Sequence, residues 1–261
     1  MDHWIDTPRG RLFARSWTPA GAQEHAPIIL FHDSLGCVTL WRDFPGELAT
    51  TTGRQVIAYD RLGFGLSDPF AGTWSNQFIH EEARDIFPLV LAAFGITCFV
   101  AFGYSVGGPI AANCAALYPT TCEALITMSA QACVDGGILA GLRQAQRAFQ
   151  APGQLERLAR YHGDKAAWVL EAWLGTWLHP SFADWHIEQT ASGLICPLLA
   201  IHGDRDEYGS LDHPRRIAAL TSGPSEVVIL TGCSHHPLRD QPSTVLAAAA
   251  GFLHAVPPLD A

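Results

Sequence analysis

A serine between glycines, a later aspartate and a pair of adjacent histidines could together perform nucleophilic catalysis. The serine is Ser105 in Gly103-Tyr104-Ser105-Val106-Gly107-Gly108, which carries the pattern G-x-S-x-G. A serine hydroxyl is a weak nucleophile at neutral pH and needs a base within hydrogen-bond reach. That base is usually a histidine whose other ring nitrogen is held by a carboxylate. Asp206 and then His235-His236 follow in that order. Asp204 and Glu207 flank the acid, so the residues alone leave both the acid and the histidine open.

Such groups work only if the fold delivers them to one place. Cys98 to Phe102 is a short apolar run ending in the serine motif, and a helix is expected from Val106 to about Tyr118. Strand, tight turn and helix would push the Ser105 hydroxyl out of the backbone. They would also aim unpaired helix N–H groups at the same spot. Glycines at 103 and 107 allow the sharp bend and close neighbours.

Around this joint the chain alternates between strand and helix. An opening hairpin is expected from His3–Asp6 and Arg11–Trp17, followed by a loop over 18–25. Buried strands are read at 27–31, 55–59, 98–103, 124–129, 197–201 and 226–230, with helices at 76–94, 212–220 and 243–254. This pattern predicts an α/β fold: a mostly parallel central sheet flanked by helices. The polar clusters fall after the C-terminal ends of strands, where open α/β sheets place their sites. One segment breaks the alternation. Residues 136–189 show no strand signal and carry Trp168, Trp173, Trp177 and Trp185, as an inserted helical cap would. The expected organisation is a core of 1–135 and 190–261 interrupted by a cap of 136–189.

Composition narrows the partners. With 48% hydrophobic and only 16% charged residues, the chain has enough apolar surface for a large core. A formal net charge of -9 argues against nucleic acid or an anionic membrane as partner. Seven cysteines, an odd number without a C-x-x-C pair, suggest reduced thiols and a cytoplasmic location. The N-terminal residues lack the basic and apolar regions of a signal peptide. No Cys/His/acid spacing points to a metal, and no cofactor motif is present.

Four segments, in order, resemble the α/β-hydrolase fold superfamily, and the resemblance spans essentially the whole chain. The serine motif looks like the nucleophile elbow. Tyr59-Asp60-Arg61-Leu62-Gly63-Phe64-Gly65-Leu66-Ser67-Asp68 is similar to the family's D-x-x-G-x-G-x-S turn. Gly203-Asp204-Arg205-Asp206 resembles its acid segment, and Ser234-His235-His236-Pro237 its G-H-x-P segment. The resemblance implies Ser105, Asp206 and His235 as catalytic residues, with His236 at the x position. It implies backbone N–H groups of Ser34 and Val106 as the oxyanion hole. Tyr104, Trp168, Trp173 and Trp177 are expected near the substrate pocket, with the Tyr104 ring against the cap.

Two departures stand out. The family usually shows His-Gly after its first buried strand, whereas this chain has His32-Asp33-Ser34, which puts a carboxyl beside the oxyanion hole. Ser234 stands where glycine is common. The implied activity is a cofactor-free serine hydrolase for an ester or related acyl bond of a small, largely apolar molecule. Lactonase, carbon–carbon bond hydrolase, perhydrolase and a non-catalytic ligand-binding protein are the other readings. Arg143, Arg147, Arg157, Arg160 and Lys165 are available for the anion grip that a carbon–carbon hydrolase would need.

Overall fold

A computed structural model of the chain describes all residues except Gly21, Gln23, Glu24, Thr73, Thr190, Pro258, Asp260 and Ala261. Part of the expected 18–25 loop and the first residue after the expected cap therefore lie outside the described residues. The strands are β1 (Asp2–Thr7), β2 (Gly10–Trp17), β3 (Ile28–Phe31), β4 (Val56–Tyr59), β5 (Phe99–Tyr104), β6 (Cys122–Met128), β7 (Leu198–Gly203) and β8 (Ser225–Leu230). They form one sheet in the order β1-β2-β4-β3-β5-β6-β7-β8. The β1/β2 and β2/β4 pairs are antiparallel, and every other pair is parallel.

The fully apolar strands are buried on both faces, as their composition requires. Ile29 and Phe31 of β3 face one helical layer, while Ile28 and Leu30 face the other. The first layer includes α3 (Phe87–Phe94), α4 (Gly107–Leu117) and α8 (Asp212–Ala218); the second includes α1 (Phe44–Thr52) and α10 (Pro242–Ala255). The expected helix over 76–94 is an uninterrupted helical run in three pieces. It comprises α2 (Phe78–Glu81), one π turn over Glu82–Ile86, and α3 with Pro88 near its start. Proline there removes a backbone donor, and the wider turn accommodates it.

The chain leaves β3 for β4 on one side and returns to β5 on the other. The β3/β5 boundary is thus the switch point of the sheet, where open α/β folds form a crevice at the strand ends. The loop after β3 carries His32-Asp33-Ser34, and the turn after β5 carries Ser105.

Residues 136–189 form α5 (Gly136–Ala148), α6 (Gln154–His162), α7 (Ala166–Trp177) and short 3-10 turns, with one isolated bridge between Cys133 and His186. Asp135 caps α5 by accepting from the Ile138 N–H at 2.9 Å. At its far end, α6 delivers the buried His162 between two core loops. Its Nδ1 accepts from the Gly65 N–H at 2.9 Å, so its Nε2 carries the proton donated to the Leu35 carbonyl at 3.0 Å. The short α9 (Pro237–Asp240) follows the two histidines. None of the seven cysteines forms a disulfide, and among the described residues no helix is long and apolar enough to cross a membrane.

Candidate active site

Ser105 sits in the left-handed region with φ 53°, a conformation that costs a non-glycine residue about 1–3 kcal/mol. Neighbouring structure holds it there. The Ser105 N–H donates to the Met128 carbonyl at 2.9 Å, and its own carbonyl accepts from the Gly108 N–H at 2.8 Å. Glycine is needed at 107 because a Cβ would overlap the Phe31 carbonyl. The elbow is therefore wedged against the end of β3, beside the Asp33–Ser34 peptide.

His235 arrives on the loop after β8, and its Nε2 lies 3.1 Å from Ser105 Oγ. Its Nδ1 is 2.8 Å from both carboxylate oxygens of Asp206, on the loop after β7. A carboxylate only accepts, so Nδ1 carries the proton and Nε2 presents its lone pair to the serine. The Asp206 side chain is fully buried and also accepts from the Tyr208 N–H at 2.7 Å. Burial works against its charge, but the His235 hydrogen bond and the nearby His235 and His202 rings hold it below the usual carboxylate range. The sequence-expected Ser105, Asp206 and His235 are thus brought together in one hydrogen-bonded line.

The flanking residues sort themselves. Asp204 caps the next loop by accepting from the Gly232 N–H, and Glu207 accepts from the His235 N–H at 3.1 Å. Tyr104 Oη donates to the His235 carbonyl at 2.9 Å and lies 2.7 Å from His236 Nδ1. Its ring packs against Trp41 and His235 rather than the cap. Tyr104, the last residue of β5, thereby ties the histidine loop to that strand end.

His202, near the end of β7, also reaches the acid. Its Nε2 lies 3.1 Å from the Gly209 carbonyl and 3.3 Å from Asp206 Oδ2, so this nitrogen carries a proton directed at two acceptors. Gln131, beyond the end of β6, was not singled out by sequence. Its side-chain amide lies 3.4 Å (Nε2) and 3.5 Å (Oε1) from Ser105 Oγ. Position after a strand end was the only available signal for it.

Above Ser105 and His235 lies a cavity of about 230 Å³. Trp173 and Trp177 line it, as do Ile138, Leu142, Ala145 and Phe149 of the α5 stretch. The spacing 138, 142, 145, 149 is one helix face, a stripe legible in the sequence but overlooked beside the tryptophans. Trp168 lies elsewhere. Its ring packs on Phe64, Phe70 and Trp74, and its Nε1 donates to the Gly72 carbonyl at 3.0 Å. The register of α7 explains this: residue 168 stands on another face from 173 and 177.

Ser34 and Asp33 line the same cavity. The Asp33 carbonyl accepts from Arg61 Nη2 and His32 Nδ1, each at 2.8 Å. Across a planar trans peptide, the following N–H points opposite to the carbonyl, so the Ser34 N–H is turned away from Arg61. Neither Ser34 nor Val106 donates its N–H to another group among the described residues. His32 accepts from the Arg61 N–H at 3.1 Å through Nε2 and is held well below its ordinary pKa by burial and by the Arg61 charge. It is a neutral packing residue under the loop.

No Arg or Lys is among the residues lining the cavity. Arg143 and Arg147 are exposed on α5, Arg157 and Arg160 on α6, and Lys165 donates to the Gly65 carbonyl. Among the described residues no group of three or more His, Cys, Asp or Glu could hold a metal ion.

The profile of the alpha/beta hydrolase fold family matches residues 26–169, more than half of the chain. This protein is a member of the alpha/beta hydrolase family. Proline iminopeptidase of Mycobacterium smegmatis is similar in structure at TM-score 0.75 and 22% identity, covering 97% of this chain and 98% of that one. A thermophilic esterase from Thermogutta terrifontis matches at TM-score 0.72 and 20% identity, over 98% and 99% of the two chains. Est816, described as an N-acyl homoserine lactone degrading enzyme, matches at TM-score 0.69 and 22% identity, over 96% and 100%. No curated protein sequence matches this chain. At these identities the hydrolase relatives share its fold, while their chemistries differ from one another.

Proposed function

We propose that this hydrolase cleaves an ester or related acyl bond of a small, largely apolar molecule through a covalent acyl-enzyme on Ser105. The observation that carries this reading is the line Ser105 Oγ, His235, Asp206, with contacts of 3.1 and 2.8 Å. His235 Nε2 accepts the hydroxyl proton as Ser105 Oγ attacks the substrate carbonyl. Asp206 keeps the imidazole in the required tautomer and stabilises the imidazolium. Ser34 and Val106 N–H groups bind the tetrahedral oxyanion, where backbone donors need no reorganisation. The imidazolium then protonates the leaving alcohol. Water, deprotonated by the same ring, releases the acid and restores Ser105.

Every proton in this cycle moves between chain, substrate and water, so the chemistry calls for no metal or cofactor. Residues 136–189 act as a cap that supplies the apolar wall of the cavity, suiting an acyl chain or small alcohol. The absence of Arg and Lys from that wall weighs against a substrate carboxylate, and so against carbon–carbon hydrolysis of dienone acids. The unpaired thiols suit a cytoplasmic setting.

The test is turnover of p-nitrophenyl esters of graded acyl length by wild type and Ser105→Ala. Wild type is expected to hydrolyse them, with kcat falling by about 10⁴-fold or more in the variant. A variant that keeps a tenth of the activity overturns the assignment of Ser105. A wild type that turns over none of them overturns the ester reading.

A further inference from the structure

The reacting end of the cavity carries a carboxyl that the mechanism above does not use. Asp33 lines the cavity together with Ser105 and His236. Its main-chain oxygen is held by His32 and Arg61, but its carboxyl meets only its own main-chain N–H and forms no hydrogen bond or ion pair with another residue among the described residues. The side chain folds back over its own turn, where a Cβ on Gly36 would overlap Oδ1. His235 and His236 are the titratable groups that face it from the histidine loop, with Arg61 behind from the turn after β4. Arg61 is engaged with the loop carbonyl and with the ring of Phe64, 4.5 Å away.

His236 adds a second acceptor. Tyr104 Oη has one proton, and the His235 carbonyl beside it can only accept. The 2.7 Å contact with His236 Nδ1 therefore requires the proton on Nδ1. Burial, the His235 ring and Arg239 lower the pKa of His236, so the ring is neutral and Nε2 is a bare lone pair. Nε2 has no partner among the described residues.

A carboxyl and a bare ring nitrogen line this cavity, whose wall has aromatic faces at Phe149, Trp173 and Tyr208 and no cationic side chain. Two acceptors without a donor between them suit a group that brings both protons and positive charge. We propose that Asp33 and His236 recognise a protonated amine on the substrate close to its scissile carbonyl, making α-aminoacyl esters or amides the preferred class. This rests on the cavity being the substrate site of the hydrolase proposed above. The ammonium would also offset the repulsion between the Asp33 carboxylate and the oxyanion forming at Ser34. Burial pushes the free Asp33 carboxyl up, against the pull of His236, His235 and Arg61, and an arriving ammonium favours its ionised form.

Three methyl esters that differ at one atom position test this: 3-phenylpropanoate, phenylalanine and the monoester of benzylmalonic acid. Their α-substituents are hydrogen, ammonium and carboxylate. Binding to Ser105→Ala protein is measured by calorimetry at about pH 6.5, below the ordinary α-amino pKa of about 7.7. The amino ester is expected to bind at least about tenfold more tightly than the neutral one, and the anionic ester most weakly. In Ser105→Ala/Asp33→Asn protein the ratio of amino to neutral ester should fall close to one. Equal binding of all three esters overturns the proposal, and so does a preference that survives Asp33→Asn. If Asp33 were instead a neutral acid donating to the oxyanion, the three esters would bind alike. The ester series remains decisive should the Asn variant fail to fold. Turnover by the Ser105 protein is scored separately. Hydrolysis of all three esters with no ammonium preference in binding overturns this subsite alone. The expected preference without any hydrolysis supports the subsite and overturns the hydrolase.

Discussion

Arg61 Nη2 donates to the main-chain oxygen of Asp33 at 2.8 Å, from a guanidinium that is 2% exposed. A buried cation here fixes the direction of one peptide plane, and with it the direction of the Ser34 N–H. In the proposed mechanism Arg61 is thereby a positioning residue for the Ser34 oxyanion donor. Arg61→Met should lower kcat on neutral esters by about ten- to hundredfold, with KM changed by less than about threefold. Arg61→Lys, which can still reach a carbonyl, should recover part of kcat. Steady-state kinetics on folded protein decides this: a loss confined to KM, or none, contradicts the positioning role.

The paired histidines make a second prediction. His235→Ala removes the ring that touches Ser105 Oγ and should cost about 10⁴-fold or more in kcat on neutral esters. His236→Ala loosens the loop through its link to Tyr104 and should cost about tenfold or less on the same esters. The reverse order of losses would place the base one residue later.

Much of this site was legible because its members follow strand ends in a fixed order, and strands are marked by short apolar runs. Ser105, Asp206 and His235 needed only motif and order. Gln131 and the part of His202 beside Asp206 were not legible, because they reach the site through loops whose course depends on tertiary packing. Trp168 was expected at the pocket with Trp173 and Trp177, but one apolar helix can serve two surfaces. Its turn toward Phe64 follows from how α7 docks, which residue types do not record. The hairpin, the strands and the helical character of 136–189 came through because periodicity is local. The π turn at Glu82–Ile86 did not, since a helical pattern hides one extra residue in a turn.

The seat of His162 between the loops at Leu35 and Gly65 predicts a pH dependence of stability. Burial lowers the pKa of His162 to about 4, against an unfolded value near 6.5. Between these values the unfolded chain binds a proton that the folded chain does not, so unfolding free energy falls as pH drops through this window. The loss amounts to at most about 3–4 kcal/mol. Urea titrations at several pH values should show it, and His162→Gln should flatten the slope. A slope unchanged in that variant would assign the dependence to His32, His202 or His236, which burial shifts in the same direction.

Ala145 lies on the α5 stripe facing the cavity. Ala145→Phe should fill acyl space and lower kcat/KM for octanoyl esters by about tenfold or more relative to acetyl esters. Chain-length profiles of the two proteins check this. An unchanged profile would mean that the acyl chain runs elsewhere.

The covalent step is tested most directly by mapping the adduct of a fluorophosphonate on the intact protein. Phosphonylation needs a serine activated by a neighbouring base, which an ordinary buried hydroxyl lacks. Mass spectrometry should find a single adduct, on the peptide containing Ser105, formed rapidly by wild type and at a rate lower by several orders of magnitude in His235→Ala. Wild type that takes up no label, or takes it up at another residue while Ser105 stays free, would contradict Ser105 as the nucleophile.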